Sequence, residues 1–442
     1  MIKEKIESIH ARRTSIVVIG SGYVGLPTAA LFANAGFHVV AVDNRVDIVH
    51  AINCGSVLSR ESGLSELVAG NVKNGRLSAT ENLREALAYA DVVIVSVQTP
   101  IRRNRKPNLS FLIEVLREIK CRPDGKLTII SSTIPPKTMM GIVKPLFEAS
   151  GLKADEDFFL AYVPERVSPN NAIKEFVENP RLIGGIGPNS TIIAAELFRT
   201  VCKVVIETNA ATAEVAKLSE NAFRDVNIAF SNQLALICEQ VGADVTEVIK
   251  LANTHPRVKI LMPGAGVGGS CLPKDSFFMM HNTKMASKKN ILTTARSINE
   301  YMPLHVAQLI EDSKNIIGEA RQTKIAVLGT AYKGGVDDTR GSPAEKIIKH
   351  LKSLGFNVFS YDPNTKESFG ATRANSIEEA IKNANAIIIV TDHPEFITLD
   401  LSKVKKIMAY PSIIIDGRRI INPEKAKAHG FLYFGVGYGK IL

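Results

Sequence analysis

The sequence lacks any apolar run near the roughly 18 residues that a membrane-spanning helix needs, and residues 1–14 carry charges where a signal peptide would need an apolar stretch. No membrane partner and a cytoplasmic location are expected. Cysteine is sparse: Cys54, Cys121, Cys202, Cys238 and Cys271 stand far apart, without the short paired spacing of a zinc site or a disulfide framework. No metal is called for, and most of these thiols are expected to be buried. Neither sign of charge dominates, since 54 Lys and Arg are interleaved with 44 Asp and Glu. The excess of +10 is mild, and suits small anionic ligands such as nucleotides better than nucleic acid. With 45% hydrophobic and 22% charged residues, a disordered or fibrous chain is excluded. At roughly 150 residues per domain, the 442 residues make about three.

What is present begins with Ser15 to Ile19, a continuous β-branched run of the kind a strand buried on both faces needs. It leads into Gly20-Ser21-Gly22-Tyr23-Val24-Gly25, then an Ala-rich stretch, Leu26 to Ala35, that Gly36 should stop. Phe37 to Asp43 reads as a second strand ending in an acid; Ala90 to Val95 and Leu127 to Ser132 read as further buried strands. Together they predict a doubly wound α/β domain. In its turn the first glycine makes the bend, the second admits a pyrophosphate, and the third packs helix on strand, while the helix N-terminus offers amide donors. Asp43 suits the ribose hydroxyls and would repel a 2′-phosphate, so NAD is expected; Arg45 keeps NADP open.

The pattern returns late in the chain. Lys324 to Gly334 lies over Ser15 to Gly25 with Gly329 on Gly20 and Tyr332 on Tyr23, while Gly355 to Asp362 echoes Gly36 to Asp43, and Ala384 to Val390 echoes the strand from Ala90. Ala331 replaces the middle glycine, so a pyrophosphate is less expected there. The insertion Lys333 to Arg340 brings two cations that could meet phosphates, another domain or only solvent. The predicted architecture is two Rossmann-like doubly wound parallel-sheet domains, 1–209 and 322–442, joined by a central helical connector, 210–321.

Two segments of the connector carry chemistry. Four glycines among Gly264, Gly266, Gly268 and Gly269 strip side chains from a loop that ends at Ser270-Cys271-Leu272-Pro273-Lys274-Asp275. A thiol beside a cation and a carboxylate is either a nucleophile or a buried apolar filler. Glu214, Lys217, Asn221 and Arg224 recur at helical spacing, either as a solvated stripe or as a catalytic face.

Together the residues resemble the UDP-glucose/GDP-mannose dehydrogenase family, the nucleotide-sugar 6-dehydrogenases. The carriers are the glycine turn with Leu26-Pro27, Thr99-Pro100, Ser132-Thr133, Pro164-Glu165-Arg166, Lys217 to Phe223, Gly268 to Asp275, and Asp338-Thr339-Arg340-Gly341-Ser342-Pro343. Asn221 to Phe230 with His255-Pro256-Arg257-Val258 is most similar to members acting on UDP-N-acetyl-D-mannosamine. The resemblance implies a four-electron oxidation of a UDP-sugar primary alcohol to a carboxylate by two NAD in succession, through a thiohemiacetal and a thioester on Cys271. It implies that Lys217 and Asn221 steady the oxyanion, that Asp275 assists proton transfer, and that Glu165 is a second candidate for activating water.

For the cofactor it implies Gly20, Gly22, Tyr23, Val24, Gly25, Asp43, Thr99, Thr133, Lys274 and Arg340. For the sugar nucleotide it implies Glu165, Arg166, Lys217, Asn221, Arg224, His255, Arg257, Gly264, Tyr332 and Lys333, with Arg257 reaching across a homodimer or dimer of dimers. Gln98, Ser131, Ser62 and Gly341 depart from the family pattern and leave the catalytic set intact. UDP-N-acetylglucosamine or UDP-glucose is the alternative substrate. Two other classes are a non-catalytic nucleotide-sugar-binding homologue and a two-electron 3-hydroxyacid dehydrogenase, which would need neither Cys271 nor the second α/β domain.

Overall fold

The computed structural model describes residues 2–58, 61–168, 170–285, 289–313, 316 and 319–439. Eight strands form the first sheet: β1 (Ser15–Ile19), β2 (His38–Val42), β3 (Leu77–Thr80), β4 (Val92–Val95), β5 (Leu127–Ile130), β6 (Phe159–Tyr162), β7 (Arg181–Gly185) and β8 (Val205–Asn209). Their order is β3-β2-β1-β4-β5-β6-β7-β8. The central strands β4, β5 and β6 are buried at every position, which is why their sequences are unbroken apolar runs rather than alternating ones. The first six strands are parallel, whereas β7 runs antiparallel to β6 and β8 then runs parallel to β7. This reversal departs from the wholly parallel expectation. Gly184 and Gly185, at the end of β7, let the next helices pack closely, since an added Cβ would lie 2.6 Å from Ala213 and 2.2 Å from Thr191.

The second sheet holds β9 (Lys324–Leu328), β10 (Asn357–Tyr361), β11 (Thr372–Arg373), β12 (Ala386–Ile389), β13 (Ile413–Asp416) and β14 (Leu432–Gly435). Its order is β11-β10-β9-β12-β13-β14, parallel throughout, which repeats the order of the first six strands of the first sheet. The sequence repeat is therefore a repeat of topology. Between the sheets in the chain come the helices Ala210–Val241, Val245–Ala252, Leu272–Met280 and Ile291–Asp312.

The chain divides into two compact units, residues 1–220 with 277–287, and residues 221–276 with 288–442. In the first, Phe32, Phe37, Phe176 and Phe198 pack ring to ring at 5.3–6.5 Å, each burial worth about 1.5–3 kcal/mol. In the second, a buried polar chain ties helix to helix and both to the glycine loop. Asp225 Oδ1 accepts from Arg296 at 2.7 Å and from Asn299 at 2.8 Å; Asn232 donates to Asn299 at 2.9 Å and accepts from the Gly264 amide at 2.9 Å.

The thiols differ from expectation: Cys202 and Cys238 are buried, but Cys54, Cys121 and Cys271 are exposed. Cys54 and Cys121 follow the ends of the helices Val46–Asn53 and Ser110–Ile119, where the chain turns back to the surface. Among the described residues no helix is long and apolar enough to cross a membrane, and no cluster of three His, Cys, Asp or Glu side chains is placed to hold a metal ion.

Candidate active site

In the first unit, β1 ends at Gly20, whose φ of +90° makes the bend that a side chain would strain. The helix Gly25–Asn34 begins directly afterwards, and a Cβ on Gly25 would sit 1.7 Å from the Gly20 carbonyl oxygen. Gly22 is the opposite case: it is exposed, with nothing within 4 Å of where its Cβ would lie. That open space before a helix N-terminus has the room and the amide donors that a pyrophosphate needs. Tyr23 is exposed and Val24 half-buried at its rim.

Asp43, just past β2, is half-buried. Its Oδ2 accepts from the Ser21 amide at 2.8 Å and its Oδ1 from the Arg45 amide at 3.0 Å. A carboxylate has about four acceptor sites, so capacity remains for two ribose hydroxyls. The ends of β4 and β5 are joined to this turn and to each other: Ser96 donates to the Gly20 carbonyl at 2.8 Å, Ser132 to Val97 at 2.6 Å, and Thr99 to the Thr133 carbonyl at 2.7 Å. The structure thus gathers Gly20, Gly22, Asp43, Thr99 and Thr133 at the carboxyl ends of neighbouring strands, where ligands bind in folds of this kind.

Glu165 and Arg166, beyond β6, are held by partners that the sequence reading did not identify. Glu165 is clamped by buried Arg181 at 2.9 Å and by the Arg166 amide at 2.7 Å. The Arg181 guanidinium in turn stacks 4.1 Å over Phe176. Arg166 pairs with Glu220 at 2.7 Å. On the helix Ala210–Val241 the polar stripe is mixed: Glu214 and Lys217 are buried, Asn221 is half-buried and Arg224 is exposed. Glu214 has a structural task, accepting the amides of Lys137 and Met139 at 2.7 Å each. Burial pushes its carboxyl above the ordinary value, and those amide bonds offset part of the effect.

In the second unit, Cys271 is exposed and stands immediately before the helix Leu272–Met280, its carbonyl accepting the amides of Lys274 and Asp275 at 3.0 and 2.9 Å. Asp275 is wholly buried and accepts from the Asn221 amide side chain at 2.7 Å. Lys274 is half-buried one residue earlier. The glycines before the thiol make room for the C-terminal domain rather than only for a ligand. A Cβ on Gly268 would lie 2.7 Å from the Gly341 carbonyl, and one on Gly269, whose φ is +89°, would lie 2.9 Å from the Tyr332 ring. The Gly269 amide also donates to the Arg340 carbonyl at 2.8 Å. Gly264 is buried, its Cβ position 2.8 Å from Arg418.

Tyr332 and Arg340 lie within electrostatic reach of the Cys271 side chain. Burial, then Asp338 and Cys271, push the Tyr332 hydroxyl above its ordinary value. Arg340 pairs with Asp338 through Nη2 at 2.6 Å and Nε at 2.9 Å. Burial works to raise the Asp338 carboxyl, but the Arg340 bonds outweigh it and hold the group low. Lys333 is exposed, and so are residues 253–259, which include His255 and Arg257.

The NAD binding domain of the UDP-glucose/GDP-mannose dehydrogenase family matches residues 14–202, its central domain residues 211–301 and its UDP binding domain residues 326–423. A UDP-N-acetyl-D-mannosamine dehydrogenase of Pyrococcus horikoshii is 42% identical over 431 residues, covering 96% of this chain and 100% of that protein. A solved structure of a UDP-D-ManNAc dehydrogenase from Pyrococcus horikoshii superposes with a TM-score of 0.90 at 41% identity, covering 96% of this chain and 99% of that one. The NDP-N-acetyl-D-galactosaminuronic acid dehydrogenase of Methanosarcina mazei Go1 gives 0.85 at 34% identity, with 98% of both chains covered. The chain belongs to the UDP-glucose/GDP-mannose dehydrogenase family. NAD is its cofactor.

Proposed function

We propose that the chain oxidises the primary alcohol of UDP-N-acetyl-D-mannosamine to UDP-N-acetyl-D-mannosaminuronate in four electrons, serving polysaccharide biosynthesis in the cytoplasm. The observation that carries the chemistry is the exposed Cys271 thiol at the start of a helix, beside the Asn221–Asp275 pair. Bound NAD supplies the hydride acceptor for each of two two-electron steps. The Cys271 sulfur adds to the aldehyde carbon, the carbonyl oxygen takes up the electron pair, and loss of hydride from that carbon leaves a thioester that water cleaves, releasing the thiol.

Each neighbouring residue has a part. The Asn221 amide has a second N–H beyond the one given to Asp275, and Lys217, one helical turn earlier, brings a cation to the developing oxyanion. Asp275 relays the proton. Glu165, fixed in place by Arg181 at 2.9 Å, takes a secondary part in water activation. Gly20, Gly22, Tyr23, Val24, Gly25, Asp43, Thr99, Thr133, Lys274 and Arg340 serve the cofactor. Arg166, Arg224, His255, Arg257, Gly264, Tyr332 and Lys333 serve the sugar nucleotide. We divide the chain into three parts, 1–209, 210–321 and 322–442, a reading supported by family matches at 14–202, 211–301 and 326–423. A homodimer, or a dimer of dimers, is supported by Phe223, Phe230 and Ile237, exposed at seven-residue steps along one face of the helix Ala210–Val241.

The test is NADH formed per sugar consumed, with UDP-N-acetylmannosamine, UDP-N-acetylglucosamine, UDP-glucose and GDP-mannose as substrates. Two NADH per sugar, a lead for UDP-N-acetylmannosamine in kcat/KM and an acyl adduct on the Cys271 peptide are expected. A clear lead for another sugar overturns the substrate, and uronate formed at the parent rate by Cys271→Ala overturns the mechanism.

A further inference from the structure

Past β2 the chain carries two residues with opposite preferences for the adenosine ribose. Asp43 is the acid that takes 2′ and 3′ hydroxyls, and Arg45 is a cation of the kind that takes a 2′-phosphate. Both belong to one tight turn, since the Arg45 amide donates to Asp43 Oδ1 at 3.0 Å. The Arg45 guanidinium, however, is engaged elsewhere. Its Nε donates to Asp47 Oδ1 at 3.1 Å and its Nη2 to Asp47 Oδ2, a two-pronged pair in which both carboxylate oxygens are used. Asp47 lies in the first turn of the helix Val46–Asn53, where a carboxylate is favoured by the unpaired amides. Hydrogen bonding to Arg45 also holds its carboxyl below the ordinary value, so it stays ionised.

We infer that Asp47 is a specificity-determining residue: by occupying the Nε–Nη2 side of Arg45 it draws away a cation beside Asp43 that could accept the 2′-phosphate of NADP, and so adds to the NAD preference that Asp43 sets. A guanidinium whose Nε–Nη2 side is taken by a carboxylate offers a phosphate a partly neutralised charge and only its remaining Nη1 edge. Asp43 repels the phosphate directly; Asp47 acts through Arg45 and is a positioning residue. Both members of the pair are more than half exposed, at 60% and 56%, so the pairing is weak and its effect is a bias rather than a switch.

The experiment measures dissociation constants of NAD and NADP by calorimetry, and kcat/KM with each, for the parent chain, Asp47→Asn, Asp47→Glu, Arg45→Ala and the double variant Arg45→Ala with Asp47→Asn. Asp47→Asn should shift the NADP-to-NAD ratio of affinities about two- to fivefold toward NADP, the range expected from an exposed pair. Asp47→Glu, which keeps the carboxylate, should restore most of the parent ratio. In the Arg45→Ala background the Asp47→Asn shift should vanish. A ratio unmoved by Asp47→Asn, the same shift without Arg45, or a parallel loss of affinity for both cofactors would overturn the inference.

Discussion

Two strand-turn units of this chain have the same origin in sequence pattern and opposite fates. In the first, Asp43 accepts two amides and keeps room for more, Gly22 faces open space, and a helix starts at Gly25. In the second, Asp362 accepts five donors: the amides of Thr330 and Ala331 at 2.7 and 2.8 Å, those of Asn364 and Thr365, and buried His393 at 3.0 Å. Ala331 is wholly buried, Thr391 presses on Gly329, and the next helix starts only at Pro343. The difference lies in how many lone pairs and how much space the protein has already used. The same turn is a ligand cradle when its acid is left half-satisfied, and a structural clasp when that acid is saturated.

The largest expected effect is at Gly25. A valine there forces a Cβ against the Gly20 carbonyl, and NAD affinity measured by calorimetry should fall at least about 100-fold. Next, the two acids should fail in different assays. Asp362→Ala strips several buried donors of their acceptor at about 1–3 kcal/mol each, so chemical denaturation should register a loss of at least about 3 kcal/mol. Asp43→Ala should leave the denaturation midpoint near that of the parent while weakening NAD about 10- to 100-fold, as expected for hydrogen bonds to a charged group.

A smaller effect appears in the acid limb of stability. Burial works to raise the Asp362 carboxyl, yet the His393 bond and the turn amides hold it below its ordinary value of 3.8. A carboxyl lower in the folded than in the unfolded chain contributes stability above the unfolded value, and that contribution is lost as pH falls through the folded one. Denaturation midpoints of the parent should therefore drop below about pH 4 more steeply than those of Asp362→Ala. The smallest effect is expected from Ala331→Gly: opening the middle of the second turn should create no measurable NAD binding in a Gly22→Val background. Binding there would break the contrast, because it would mean that one methyl group, rather than the saturated acid, closes the second turn.

Much of this was legible in the sequence because it is written locally. β1, its glycine turn, Asp43 and their later echoes occupy contiguous runs whose apolar pattern and glycine spacing are set by neighbours a few residues away. The clamp of Arg181 on Glu165 was not legible, since two charges on different elements pair only after β6 and β7 have met. The reversal at β7 was hidden for the same reason: Arg181 to Gly185 is a short strand whose direction depends on the chain between β6 and β7, not on its own residues. Glu214 was one member of a stripe that could be either solvated or catalytic. Its burial under the amides of Lys137 and Met139 could be read only once the segment at residues 135–143 was in place. The glycines before Cys271 read as a loop stripped of side chains, but not as the seat of Tyr332 and Gly341, which lie more than sixty residues downstream.

That last contact sets an order of events during synthesis. The surface that shapes the loop at Gly268 and Gly269 is made of residues 332–341, so a chain still on the ribosome with only its first 320 residues emerged carries the thiol on an unsupported segment. The loop before Cys271 thus acquires its setting late, after the NAD binding domain at residues 14–202 has been translated.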